Sequence, residues 1–134
     1  MEKFNEATHN RPDGERTLDD YFVHVDLPRY MRDIKEEVAW QKNDRNAITV
    51  FKTDNISVVL VAMHQGARID KQQAQDMLCI QVLEGMLQFT VEDKFATLAG
   101  AQMVMLHKGY SYSLVADDEA MFLMTISHNS GRGI

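Results

Sequence analysis

From Asp26 onward apolar residues recur at three- and four-residue intervals, so that Leu27, Tyr30, Met31, Ile34 and Val38 share one face of a helix. Arg29, Arg32, Lys35, Glu36 and Glu37 take the other faces. Asp26 can cap the first turn, and Pro28 falls where a missing N–H costs nothing. The spacing predicts one helix over about 27–39, with its stripe packed on a sheet and Trp40 sealing the end of that contact. Beyond Asn43-Asp44-Arg45-Asn46 the composition turns strand-like. The expected strands are Ile48 to Thr53, Ile56 to His64, Met77 to Glu84, Met86 to Glu92, Phe95 to Leu98, Gln102 to Leu106, Ser111 to Val115 and Met121 to Ser127. Turn residues such as Asp54-Asn55, Gly85, Ala99-Gly100 and Lys108-Gly109 separate them. Many short strands with frequent reversals suit an all-β jelly roll or small barrel, which leaves fewer open edges than a flat sheet.

Upstream of the helix, residues 1–18 lack an apolar period and contain the turn signal Arg11-Pro12-Asp13-Gly14, so a flexible arm is expected there. Residues 129–134 read as a frayed tail, leaving a single domain over 19–128. At 134 residues, 45% hydrophobic and 25% charged, the chain has the composition of an ordinary globular domain. Its lone cysteine, Cys79, rules out an intrachain disulfide and a thiolate zinc cluster. A net charge of -6 is the wrong sign for tracking phosphates, so no nucleic-acid partner is expected. The longest apolar run, Val58 to Met63, is far short of the roughly 18 residues a membrane helix needs. The polar start carries no signal-peptide core, and a cytoplasmic location without a membrane partner is the expectation.

Two glycine-anchored blocks carry a family resemblance. One runs from Gly66-Ala67-Arg68-Ile69-Asp70-Lys71-Gln72-Gln73-Ala74 through Val82-Leu83-Glu84-Gly85, the other from Gly100 through His107-Lys108-Gly109-Tyr110-Ser111-Tyr112. They resemble the two motifs of the cupin superfamily. The resemblance covers residues 47–128 and implies a double-stranded β-helix. It also implies a homodimer, formed through the helix or the Ile48 to Thr53 strand. Carried over position by position, the family's metal ligands fall on Gln72, Ala74, Leu78 and Tyr112. An alanine methyl and a leucine side chain offer no lone pair, so neither a metal nor another cofactor is expected.

If Leu78 points inward as the family's glutamate does, period two sends Ile80 and Val82 inward with it and Cys79 to the opposite face. The implied pocket is apolar, with Gln72 and Tyr112 as its polar groups, and suits an unidentified small molecule. Seven of the nine methionines lie in the β body, where flexible thioethers fill irregular space. A phenol can donate a proton, and metal-free sugar epimerases of the superfamily pair a tyrosine acid with a histidine base. Tyr112 would then need His64 or His107 as its partner. His64, His107 and His128 could alternatively form a displaced metal site. No nucleophile elbow and no phosphate-binding glycine loop is present. The leading expectation is a small-molecule-binding or structural and sensory domain without metal-dependent catalysis. The alternatives are a metal-independent isomerase or epimerase of a small polar metabolite and, last, a divergent metal-dependent oxygenase.

Overall fold

The computed structural model describes residues 3–5 and 16–128. The helical segment begins as its sequence requires: the Asp26 carboxylate accepts a hydrogen bond from the Arg29 N–H at 3.2 Å, with Pro28 in the first turn. It is not the continuous helix expected over 27–39. Helix α1 spans Leu27–Glu36, Glu37 turns to an extended conformation with ψ 150, and a short α2 spans Val38–Lys42. The cause lies outside the helix. Asn46, almost fully buried on the adjoining strand, donates to the Ile34 carbonyl at 3.0 Å and to Glu37 Oε1 at 2.8 Å. A sheet residue thus satisfies a carbonyl that the next helical turn would otherwise have used.

Nine further strands follow: β3 Arg45–Lys52, β4 Ile56–Met63, β5 Arg68–Gln73, β6 Leu78–Glu84, β7 Met86–Val91, β8 Lys94–Ala99, β9 Met103–Leu106, β10 Ser111–Ala116 and β11 Ala120–Ser127. They form a five-stranded sheet of order β3-β4-β11-β6-β9 and a four-stranded sheet of order β5-β10-β7-β8, with every pairing antiparallel. Between the sheets lies an apolar interior that includes Met63, Ile80, Val82, Leu87, Phe89, Leu114 and Phe122. On the outer face of the larger sheet a second cluster joins Ile34 and Trp40 of the helices to Ile48, Val50, Leu60, Ala62 and Met121. Strand β4 serves both layers. Val61 and Met63 face the interior while Leu60 and Ala62 face the helices, which accounts for an apolar run without alternation.

Two expectations need correction. Part of the supposed arm over residues 1–18 is sheet: Lys3–Asn5 (β1) pairs antiparallel with Arg16–Asp19 (β2), and Leu18 is buried. Strand β5 is not among the strands the hydrophobic pattern predicts, because its residues are exposed on both faces save Ile69. Main-chain pairing with β10 holds it in place. A ladder of backbone hydrogen bonds needs no apolar side chains, so a hydrophobic period cannot reveal it. The tail expected over 129–134 lies outside the described residues.

Candidate functional site

Three of the four residues aligned with the family's ligand positions, Ala74, Leu78 and Tyr112, belong to the interior cluster. Tyr112 opens β10, and its register partners are Gln72 on β5 and Val91 on β7. Directly opposed residues share a face, so these three form a row across the smaller sheet. On the larger sheet Leu78 is aligned with Leu106 on one side and Ile126 on the other. Leu78, Leu106 and Tyr112 belong to the interior cluster, and Val91 and Ile126 pack against it.

The interior is filled. Ile80 and Val82 are inaccessible to solvent, Leu78 is 4% exposed, and the Tyr112 ring stacks on Phe89 at a centroid distance of 5.5 Å. Gln72 does not join that interior. It is exposed on the edge strand, and its amide makes only a 3.5 Å contact to the Asp70 carbonyl. A bulge between β5 and β10 accompanies this, with a positive φ at Lys71. Of the two polar groups expected in the pocket, Tyr112 is thus within the interior cluster and Gln72 outside it at the sheet edge.

Tyr112 carries the chemistry available there. It is 8% exposed, and among the described residues its hydroxyl has no hydrogen-bond partner. Burial pushes the phenol above its ordinary pKa. A half-buried hydroxyl with no protein partner is open to a hydrogen bond from a ligand or water.

Two of the three barrel histidines have partners elsewhere. His64 follows the inward-facing Met63 and turns to the opposite side of the larger sheet. Its ring stacks on Trp40 at 3.5 Å, with Nε2 at 2.8 Å from the Trp40 carbonyl oxygen. His107 is exposed beyond the end of β9. His128 is held by Ser57, whose Oγ lies 2.8 Å from its Nε2. His64 and His128 are thus engaged elsewhere, His107 stands exposed next to Leu106, and among the described residues the three histidines are not grouped around one centre. Among the described residues no three His, Cys, Asp or Glu side chains are grouped to hold a metal ion. Nor do the aligned positions fit one, since Ala74 and Leu78 are buried apolar side chains in the interior cluster.

Cys79 lies on the outer face, as alternation requires, and is half-buried. Burial raises its pKa and lowers its thiolate fraction. Iodoacetamide should therefore alkylate Cys79 in the native protein more slowly at neutral pH than it alkylates free cysteine, with the rate climbing as pH rises. Parity of the two rates at neutral pH would show that burial does not control this thiol.

Sequence reasoning missed one concavity. A groove of about 310 Å3 on the helix side is lined by Val23, Val25, Leu27, Val50, Phe51, Val58 and Leu123. The alternation of Val23, Val25 and Leu27 is the only local signal of it.

No protein-family model matches this chain, and no curated protein matches it. Solved structures do. A cupin superfamily protein from Desulfitobacterium hafniense is 13% identical with a TM-score of 0.62, over 65% of this chain and 80% of that one. An RmlC-like cupin family protein with a double-stranded β-helix fold from Methanocaldococcus jannaschii is 10% identical with a TM-score of 0.57, over 65% and 84%. A Thermus thermophilus protein is 17% identical with a TM-score of 0.65, over 81% and 100%. Identities this low speak to fold alone, and the fold is the cupin double-stranded β-helix expected from the glycine-anchored blocks.

Proposed function

We propose that this cupin-fold chain is a binding module for a small, partly apolar molecule, seated at the barrel mouth and acting without metal-dependent chemistry. The observation that supports it is Tyr112, a residue within the interior whose half-buried hydroxyl has no partner among the described residues, at the end of an otherwise apolar interior. An apolar wall with one or two polar groups fixes a ligand's orientation by a single hydrogen bond and holds it by burial. Gln72 at the rim offers a second polar contact, and Val91, Leu78 and Ile126 supply the walls. Two of the four positions where the superfamily carries metal ligands hold Ala74 and Leu78, whose side chains have no donor atom, which argues against the oxygenase alternative.

Tyr112→Phe tests the reading in two ways. Removing an unpartnered half-buried hydroxyl should leave stability unchanged or raise it by about 1 kcal/mol, measured by urea denaturation. A loss of about 1 kcal/mol or more would show that the hydroxyl is already bonded within the protein. In a thermal-shift screen of small aromatic and aliphatic alcohols, ketones and carboxylates, compounds that stabilise the wild type should stabilise Tyr112→Phe less. Hits that are indifferent to the substitution, or an absence of hits, would overturn the proposal.

A further inference from the structure

Two of the methionines in the β body do not serve the packing. Met103 is 50% and Met105 59% exposed on β9, the strand at one edge of the larger sheet. Leu106 lies in the interior cluster and Val104 packs against it, so alternation sends both thioethers to the outer face. Met105 is the register partner of Cys79, and Met103 that of Gln81. Directly opposed residues share a face, so the chain's one thiol has a thioether straight across from it and a second on the diagonal. Opposed Cβ atoms on neighbouring strands lie about 4.5–5.5 Å apart and diagonal neighbours about 7–8 Å. Each methionine has three rotatable bonds with which to swing its sulfur toward Cys79, so three sulfurs can close on one point. Gln81 does not occupy that point, because its amide donates to the Ala101 carbonyl at 3.2 Å. The cluster under the helices takes in Leu83 and Leu123 but none of these sulfur side chains, so the helix layer leaves the patch open.

We propose that Cys79, Met103 and Met105 bind one Cu(I) ion on the outer face of the larger sheet. Donor softness selects the metal. Thiolate and thioether sulfurs favour Cu(I), whereas Mg, Ca and Mn take oxygen ligands and structural zinc asks for four nitrogen or sulfur donors. Charge selects the oxidation state. One thiolate and two neutral thioethers balance a monovalent ion, while a divalent ion would keep an uncompensated charge beside a half-buried thiol. Binding exchanges one proton for one metal ion. The Cys79 thiol releases its proton to solvent, its sulfur forms the bond to copper, each thioether donates a lone pair, and no electron is transferred. Exposure of the two methionines, which packing does not explain, is what lets an ion reach all three sulfurs. The site faces away from the interior that holds Tyr112, so it and the small-molecule site proposed above fail or hold independently.

Anaerobic titration of the reduced full chain with Cu(I), in competition with a chromophoric Cu(I) chelator, measures the affinity. The wild type should take up one ion per chain, with X-ray absorption showing three sulfur neighbours and no nitrogen. Cys79→Ser should weaken binding about a hundredfold or more, and Met103→Leu and Met105→Leu about tenfold each. Leucine keeps the size and apolar character of methionine at these exposed positions, so both methionine variants should fold as the wild type does. Met86→Leu, on β7 in the smaller sheet, should leave the affinity unchanged. Bound Cu(I) should also protect Cys79 from iodoacetamide, because the thiolate is then committed to the metal, and Zn(II) at the same concentration should not. A wild type that holds Cu(I) no better than Cys79→Ser would overturn the proposal. So would an affinity indifferent to the double change Met103→Leu/Met105→Leu, which would reduce the site to an isolated thiol, or protection by Zn(II) equal to that by Cu(I).

Discussion

Gly85→Ala should destabilise this protein by about 3 kcal/mol or more, a large share of the roughly 5–15 kcal/mol that holds a domain of this size folded. Two costs combine. Gly85 sits at φ +79, where a side chain costs about 1–2 kcal/mol. Its added Cβ would also lie 2.1 Å from the Glu119 carbonyl oxygen and 2.7 Å from the Ala120 Cα, both backbone atoms that cannot swing aside. The contact arises from topology. The chain crosses from the larger sheet to the smaller between β6 and β7, and returns between β10 and β11, and the two crossings touch here. Gly66→Ala is the control, because Gly66 has φ +88 but no atom within 4 Å of the place an added Cβ would take. It should cost about 1 kcal/mol, the backbone share alone. Denaturant unfolding of both variants separates crowding from conformation, and equal losses at the two sites would refute the role of the crossing contact.

Leu78→Glu should lower stability at neutral pH by about 4 kcal/mol, through lost apolar burial and a carboxylate enclosed among Leu106, Ile126 and the rest of the interior. This position is where the resembling family carries a glutamate, so the substitution asks whether the interior is a filled core or an open ligand chamber. Burial raises the carboxyl pKa in the folded state above its unfolded value near 4.3. The unfolded chain therefore loses its proton first, and the penalty grows as pH rises from about 4 up to the raised folded value. At pH below about 4 the variant should draw closer to the wild type, because both states then hold a neutral carboxyl. A loss under about 1 kcal/mol at neutral pH, with no pH dependence, would mean that water already reaches Leu78.

Much of the fold was legible in the residues themselves. The three-and-four spacing of Leu27, Tyr30, Met31 and Ile34 marked a real helix, and its cap at Asp26 forms as the residue type implies. Alternation in Leu78, Ile80 and Val82 placed all three inward and Cys79 outward, because a strand's side-chain period is a local property. What escaped were elements held by partners distant in sequence. The helix breaks at Glu37 because Asn46 captures the Ile34 carbonyl and the Glu37 side chain. Strand β5 exists through backbone pairing with β10 that its polar side chains do not advertise, and β1 through pairing with β2.

The candidate site divides the same way. Its chemical character was set by identity at four positions, since Ala74 and Leu78 offer no donor atom and Gln72 and Tyr112 only one oxygen-bearing group each. Their placement was not. Gln72 sits outside at an exposed edge, Tyr112 inside without a partner among the described residues, and His64 on the far side of the larger sheet against Trp40. Facing within a strand follows from the period of the backbone, so the sequence by itself determined which side chains turn inward. Which strands become neighbours depends on the packing of two sheets and a helix layer, and only that tertiary arrangement decided which inward-facing groups meet.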